Sequence, residues 1–302
     1  MNKIAWFLIS VSVVLGTVVG MAYKSGARKI ACASEIPVLI AIPTGLLSVC
    51  FAVITCFKGF RLDAALLLPA LLSGVSQFGA MYSLFRSMKE GFFAITIVFS
   101  GMSFCIPIFL SGLFLGEKVT AWQLSGIILM LAAIIVVNFV KRKENREIKA
   151  AMPRSKKWII WAMGVWLFNG LLNFGIKLQQ HAMPGEGMEC FNFFNFLFCT
   201  VLALLFICIN GFRKSHRAEY SSVNIKSIIL PCLVLAFGCG LNFYIQAVLP
   251  GLVNASVQFT VCNGGSLILG VLLGVFYYRE PFDWRSIVTL LCSGAAIALQ
   301  VI

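Results

Sequence analysis

LFLGEKVTAWQLSG, residues 113–126, sets one glutamate between two long apolar runs, and VFYYREPFDWRSIV, residues 275–288, does so again. In each stretch a polar residue follows the glutamate three places on, then a tryptophan, then more apolar sequence. Glu117 and Glu280 stand 163 positions apart, and Thr120 with Asp283, Gly101 with Gly264 and Ser103 with Ser266 share that offset. Pro69 with Pro231 and Tyr82 with Tyr244 stand 162 apart. A series of matches in one order is the mark of an internal repeat.

Composition says what is repeated. The chain of 302 residues is 60% hydrophobic and 12% charged, where soluble domains carry roughly 25% charged residues. The charges come in short clusters with almost charge-free sequence between them, which is the pattern of membrane spans of about 20 apolar residues each. Ten spans are predicted, at 4–23, 36–57, 64–85, 91–115, 121–140, 158–178, 187–210, 226–249, 252–278 and 284–301. In hydrocarbon the backbone must satisfy its own hydrogen bonds, and the long unbroken apolar runs exclude alternating barrel strands, so the spans are helices. The expected fold is an all-α integral membrane protein, with one five-helix unit at 1–140, a basic linker at 141–157 and a second unit at 158–302. Five is odd, so the second copy enters the membrane inverted relative to the first. Inverted repeats are a recurring plan of secondary transporters, with the substrate held between the halves.

The net charge of +13 flanks apolar segments, so it reflects membrane topology rather than nucleic acid. Of the 24 lysines and arginines, five (Lys3, Lys58, Arg61, Lys118 and Lys177) lie on the side of the even-numbered loops, leaving 19 on the other side. The positive-inside rule therefore places the odd-numbered loops in the cytoplasm and both termini outside. The apolar run near Met1 is too long for a typical signal peptide and reads as an uncleaved first span. The eleven cysteines are scattered through apolar runs without a CxxC pair and read as small hydrophobes, and the two histidines have no partner, so neither metal nor cofactor is expected.

The five-span unit resembles the EamA-type repeat of the drug/metabolite transporter superfamily. The motifs that carry the resemblance are GEKVTAWQLSG at 116–126, the looser REPFDWRSIV at 279–288, and a small-residue stripe ending in Lys24 that closes the first helix of the first half, with Lys177 at the matching place in the second. It covers nearly the whole chain and implies a ten-helix bundle around a central cavity that carries a small metabolite. The second copy departs from the first in having Arg279 where the first has Gly116. Such transporters are usually described with both termini in the cytoplasm, opposite to the charge count.

The polar residues within the spans are mostly amides. Asn169, Asn173 and Lys177 fall at i, i+4 and i+8 on one helix face; the matching first-half stripe is Gly16, Gly20 and Lys24. Asn192 and Asn195 follow Glu189 at spacings of three, Asn242 and Gln246 share a face near Tyr244, and Gln258 and Asn263 lie in the ninth span. The first half offers Gln77 and Tyr82, with Ser100 and Ser103. Any one of these could bond a neighbouring helix at about 1 kcal/mol. Amides on four helices are more simply explained by a water-filled cavity lined by Asn169, Asn173, Lys177, Asn192, Asn195, Asn242, Tyr244, Gln246, Gln258, Asn263, Gln77 and Tyr82. A lysine at a helix end reaches for the membrane surface; turned inward, Lys177 would favour an anionic group. Phe191 or Phe194 would stack on a substrate.

All eleven acids lie in or beside loops, which leaves no midplane carboxylate for proton coupling and no catalytic constellation. The expectation is no enzyme but a transporter or facilitator for a small polar or amphipathic metabolite (an amino acid, a sugar or a drug-like molecule), seated in the cell membrane as a monomer or homodimer. The alternatives are a non-transporting receptor or assembly factor, and a flippase for a lipid-linked sugar. The GxxxG pairs Gly112/Gly116 and Gly270/Gly274 suit tight helix crossing or a dimer interface. Thr120 with Gln123 has the form of a capping box, Asp283 that of an N-cap, and the two glutamates mark the turns before them.

Overall fold

The computed structural model describes residues 3–30, 32–59, 63–91, 93–116, 120–122, 124–126, 128, 129, 132, 157–184, 186–212, 225–249, 255–279 and 284–301. Glu117, Glu280, Gln123, Asp283 and all of the 141–157 linker but Lys157 lie outside the described residues, as does most of the fifth predicted span. Among the described residues the regular structure is helical: α1 (Lys3–Lys29), α2 (Ile36–Lys58), α3 (Ala64–Glu90), α4 (Phe93–Gly101), α5 (Cys105–Phe114), α6 (Lys157–Ala182), α7 (Met188–Phe212), α8 (Ile225–Val248), α9 (Ala255–Phe276) and α10 (Trp284–Val301).

Local chemistry sets the helix ends. Asp63 opens α3 by accepting a 2.8 Å hydrogen bond from the Ala65 amide, which satisfies one of the donors a helix start leaves open. The carbonyl of Thr120 accepts from the Leu124 amide at 3.0 Å, as an N-cap residue's carbonyl does. Gly116, after α5, has φ 68°, and Arg279, after α9, has φ 52°. The glycine and the arginine that differ chemically thus share left-handed backbone, at a cost for the arginine.

The expected single helix over 91–115 is broken. Met102–Phe104 is a 3-10 turn between α4 and α5. Pro107 lies just beyond this turn: in a continuous helix its ring would crowd the carbonyl of Ser103 and its missing N–H would leave that carbonyl without its helical donor, although Pro43, Pro69 and Pro231 sit inside unbroken helices. Restarting the α-helix at Cys105 puts Pro107 in the first turn, where no partner is required.

The helices pack in a consistent pattern. α3 lies against α6 and α7, α2 against α7 and α8, α1 against α8 and α9, α4 against α9, and α5 against α6. Small residues bring the backbones close. A Cβ on Gly175 of α6 would lie 2.1 Å from the Ser73 hydroxyl of α3, and one on Gly74 of α3 would lie 2.7 Å from the Asn195 carbonyl of α7. The main core joins Ile36, Leu39 and Ile40 to Phe85, Met88 and Leu235, with Tyr23 edge-on to Phe85 at 5.0 Å.

The outside is more apolar than a soluble protein allows. Phe57 is 89% exposed, Phe237 73% and Leu230 65%, whereas Ser12, Ser73, Gln77 and Thr96 are buried. Among the described residues, seven helices are long and apolar enough to cross a membrane. These are the marks of a multi-pass helical membrane protein.

Candidate functional site

Six helices line a cavity of about 220 Å³: α1, α3 and α4 from before the linker, and α6, α8 and α9 from after it. The small residues of α1 and α9 set its width. Gly16 of α1 has space for no more than a hydrogen beside the Ser266 hydroxyl, since a Cβ there would come within 2.7 Å of it.

The polar wall consists of amides and hydroxyls from both halves. Asn169 of α6 donates from Nδ2 to the Ser100 hydroxyl of α4 at 2.7 Å. Ser12 of α1 donates to Oδ1 of Asn242 on α8 at 2.6 Å. Asn173 and Gln246 complete the two amide stripes on α6 and α8. Gln77 of α3 is buried, and its Oε1 has no hydrogen-bond partner among the described residues. An amide left short in one state gains when a guest enters or the helices shift. Among the described residues no charged side chain lines this cavity. A bare ion would lose its hydration there without compensation, whereas hydroxyl and amide groups of a guest would find partners.

Five of the twelve residues expected at the site therefore share one wall: Asn169, Asn173, Asn242, Gln246 and Gln77. Five others are placed elsewhere. Asn192 and Asn195 are buried off the cavity, where Asn192 Oδ1 and both amide atoms of Asn195 lack hydrogen-bond partners among the described residues. Tyr244 is 48% exposed on the outer face of α8. Tyr82 packs edge-on against Trp161 at 5.5 Å. Lys177 is half-buried and off the cavity wall. The side chains of Gln258 and Asn263 lie outside the described residues. Phe191 and Phe194 do not reach the cavity either.

The wall also contains residues the amide pattern did not single out. Ser12 lies one turn before Gly16 on the stripe that ends at Lys24, so extending that stripe backwards would have found it. Thr17, Tyr23 and Cys239 carry no comparable signal.

Lys24 corrects a simple expectation. It does not reach for the membrane surface. It is buried, and its Nζ donates to the carbonyls of Met88 and Gly91, both at 3.0 Å. The ammonium thus caps the negative end of α3. Lys58 and Glu189 form an ion pair between the end of α2 and the start of α7, at the opposite face of the bundle. Among the described residues no group of three or more metal-ligating side chains gathers.

No protein-family model matches the chain, and no curated protein matches it. Solved structures do match, 28 chains in all. One protein crystal structure is similar over 99% of this chain and 97% of its own, with a TM-score of 0.59 and 14% sequence identity. At that identity the likeness concerns the fold alone.

Proposed function

We propose that the chain is a secondary transporter or facilitator of the EamA type in the drug/metabolite transporter superfamily. In this reading it carries a small polar or amphipathic metabolite across the cell membrane by alternating access between two inverted five-helix repeats. The observation that carries the proposal is the cavity lined by amides and hydroxyls from helices on both sides of the linker, with no charged side chain among its described lining residues. A midplane site between inverted repeats is where alternating access needs it.

The repeat reading draws support from the packing. Under exchange of the halves α1 pairs with α6, α3 with α8, and α4 with α9, and these six helices are the ones that line the cavity. The packing of α3 on α6 has its mate in α8 on α1, and α3 on α7 has its mate in α8 on α2. The shared left-handed turns at Gly116 and Arg279 point the same way. With no charge on the wall, the favoured guest is a metabolite without net charge that offers both donors and acceptors.

The test is flux. Purified protein in liposomes should move at least one member of a panel of neutral polar metabolites faster than empty liposomes do. Absence of protein-dependent flux across the panel, from a chain that is folded in the bilayer, would favour a receptor or assembly factor instead.

A further inference from the structure

The cavity ends abruptly on one side. Phe93, at the start of α4, is fully buried and forms part of the wall together with Tyr23 and Leu84. Behind it sits Tyr278, just past the end of α9, with ring centroids 5.0 Å apart. The Arg28 guanidinium lies 4.9 Å from the Tyr278 ring centroid and the Lys24 ammonium 6.0 Å from it. Lys24 also holds the carbonyls of Met88 and Gly91, which fixes the turn that carries Phe93. One residue beyond Arg28, Lys29 donates to the Ser227 carbonyl of α8 at 2.7 Å. Farther around the same face the Arg86 guanidinium lies 4.9 Å from the Trp161 ring centroid.

These contacts share two properties. Apart from those of Lys24 to Met88 and Gly91, each joins a residue before the linker to one after it. All lie at the ends of helices that face the basic loops. On the other side the cavity runs up to Gln246, near the end of α8. The ion pair there, Lys58–Glu189, joins α2 to α7, neither of which lines the cavity. The bundle is tied across its cavity on the basic side by charged and aromatic side chains, whereas on the other side the Ser12–Asn242 hydrogen bond joins α1 to α8 and the Phe114–Phe174 ring pair joins α5 to α6.

We propose that Tyr278, seated on Phe93 and covered by Arg28, is the closure that seals the cavity from the basic face, and that its release from Phe93 admits solvent and substrate from that face. The closure rests on the transport reading above. The chemistry suits a contact that must break: aromatic and cation–ring contacts at a helix end are short-ranged and need no buried ion to be stripped of its partner. Lys24 stays with the α3 carbonyls, so the buried charge keeps its partners when Tyr278 leaves.

Cys239 lines the cavity and serves as a built-in reporter. Membrane vesicles of each orientation are treated with a charged, impermeant thiol reagent, and peptide mass spectrometry quantifies labelling at Cys239 alone. In the unaltered protein, labelling is expected to be slow from the basic face. Tyr278→Ala should raise that rate roughly tenfold, the population shift that losing one aromatic pair and one cation–ring contact allows. Tyr278→Phe should leave it near the unaltered value, and Arg28→Gln, at an exposed position, should raise it by a smaller factor. Unchanged labelling in both Tyr278→Ala and Arg28→Gln overturns the closure; a rise in Arg28→Gln supports it even where Tyr278→Ala fails to fold. The labelling needs no substrate. Intact flux with unchanged labelling sinks the closure alone, whereas a chain that labels as expected but moves nothing sinks the transport reading.

Discussion

Ser12 and Asn242 are 230 residues apart, yet the hydroxyl of one donates to the amide oxygen of the other at 2.6 Å. The bond joins α1 to α8 across the cavity wall and orients the Asn242 amide. Truncating Asn242 removes both the bond and whatever the amide offers a guest. Asn242→Ala is expected to lower liposome flux roughly tenfold, consistent with losing one or two hydrogen bonds of about 1 kcal/mol each. The amount of protein in the membrane should stay the same, and Asn173→Ala should behave alike. Unaltered rates in both would remove the wall from the transport path.

Asn195 gives the opposite expectation. Its amide is fully buried away from the cavity without a hydrogen-bond partner among the described residues. Asn195→Leu exchanges an unsatisfied polar group for an apolar one of similar size, which costs little or stabilises. Thermal unfolding in detergent should shift upward or not at all, and flux should stay within about a factor of two.

Close helix contact can be probed with a pair of glycines. A methyl on Gly74 would meet the Asn195 carbonyl at 2.7 Å and the Phe198 Cβ at 2.6 Å, neither of which can rotate away; on Gly45 it would meet only Thr200 Cγ2, at 3.6 Å. Gly74→Ala should reduce the yield of monodisperse protein in size-exclusion chromatography, an overpacking cost of about 1–3 kcal/mol. Gly45→Ala should leave that yield unchanged or improve it.

Asp63→Ala removes the N-cap of α3. The expected loss is about 1 kcal/mol, read as a lower midpoint in denaturant unfolding. Asp63→Ser, which keeps an acceptor, should recover most of it.

Topology has its own test. With the native reactive cysteines removed, a cysteine placed within 141–157 should resist an impermeant thiol reagent in intact cells and react once the cells are opened. Reaction in intact cells would reverse the orientation read from the basic loops.

The helical, multi-pass membrane character is readable in the sequence because apolar length is a local property. The mean hydropathy of +0.95 and the spacing of the charge clusters were enough for that. The stripes Asn169–Asn173 and Asn242–Gln246 were readable for a similar reason: a spacing of four defines a face. What spacing leaves open is which neighbour that face meets. Asn192 and Asn195 form an equally good pattern and are buried in helix packing instead, because the backbones of α3 and α7 touch at Gly74. Tyr82 and Tyr244 match as a repeat pair, but one packs on Trp161 and the other lies on the outer surface. The place of Lys24 at a helix end points to the membrane surface, and only the neighbouring end of α3 shows what its ammonium bonds.

The three-residue 3-10 turn at Met102–Phe104 changes the phase of the helix that contains it. A 3-10 turn advances about 120° and 2.0 Å per residue, against about 100° and 1.5 Å for an α-helix. Over three residues the helix gains roughly 60° of rotation and about 1.5 Å of length. α4 packs against both α9 and α6 and lines the cavity, whereas α5 packs against α6. Tightening or relaxing those three residues would turn α4, which lines the cavity, against α5, which does not.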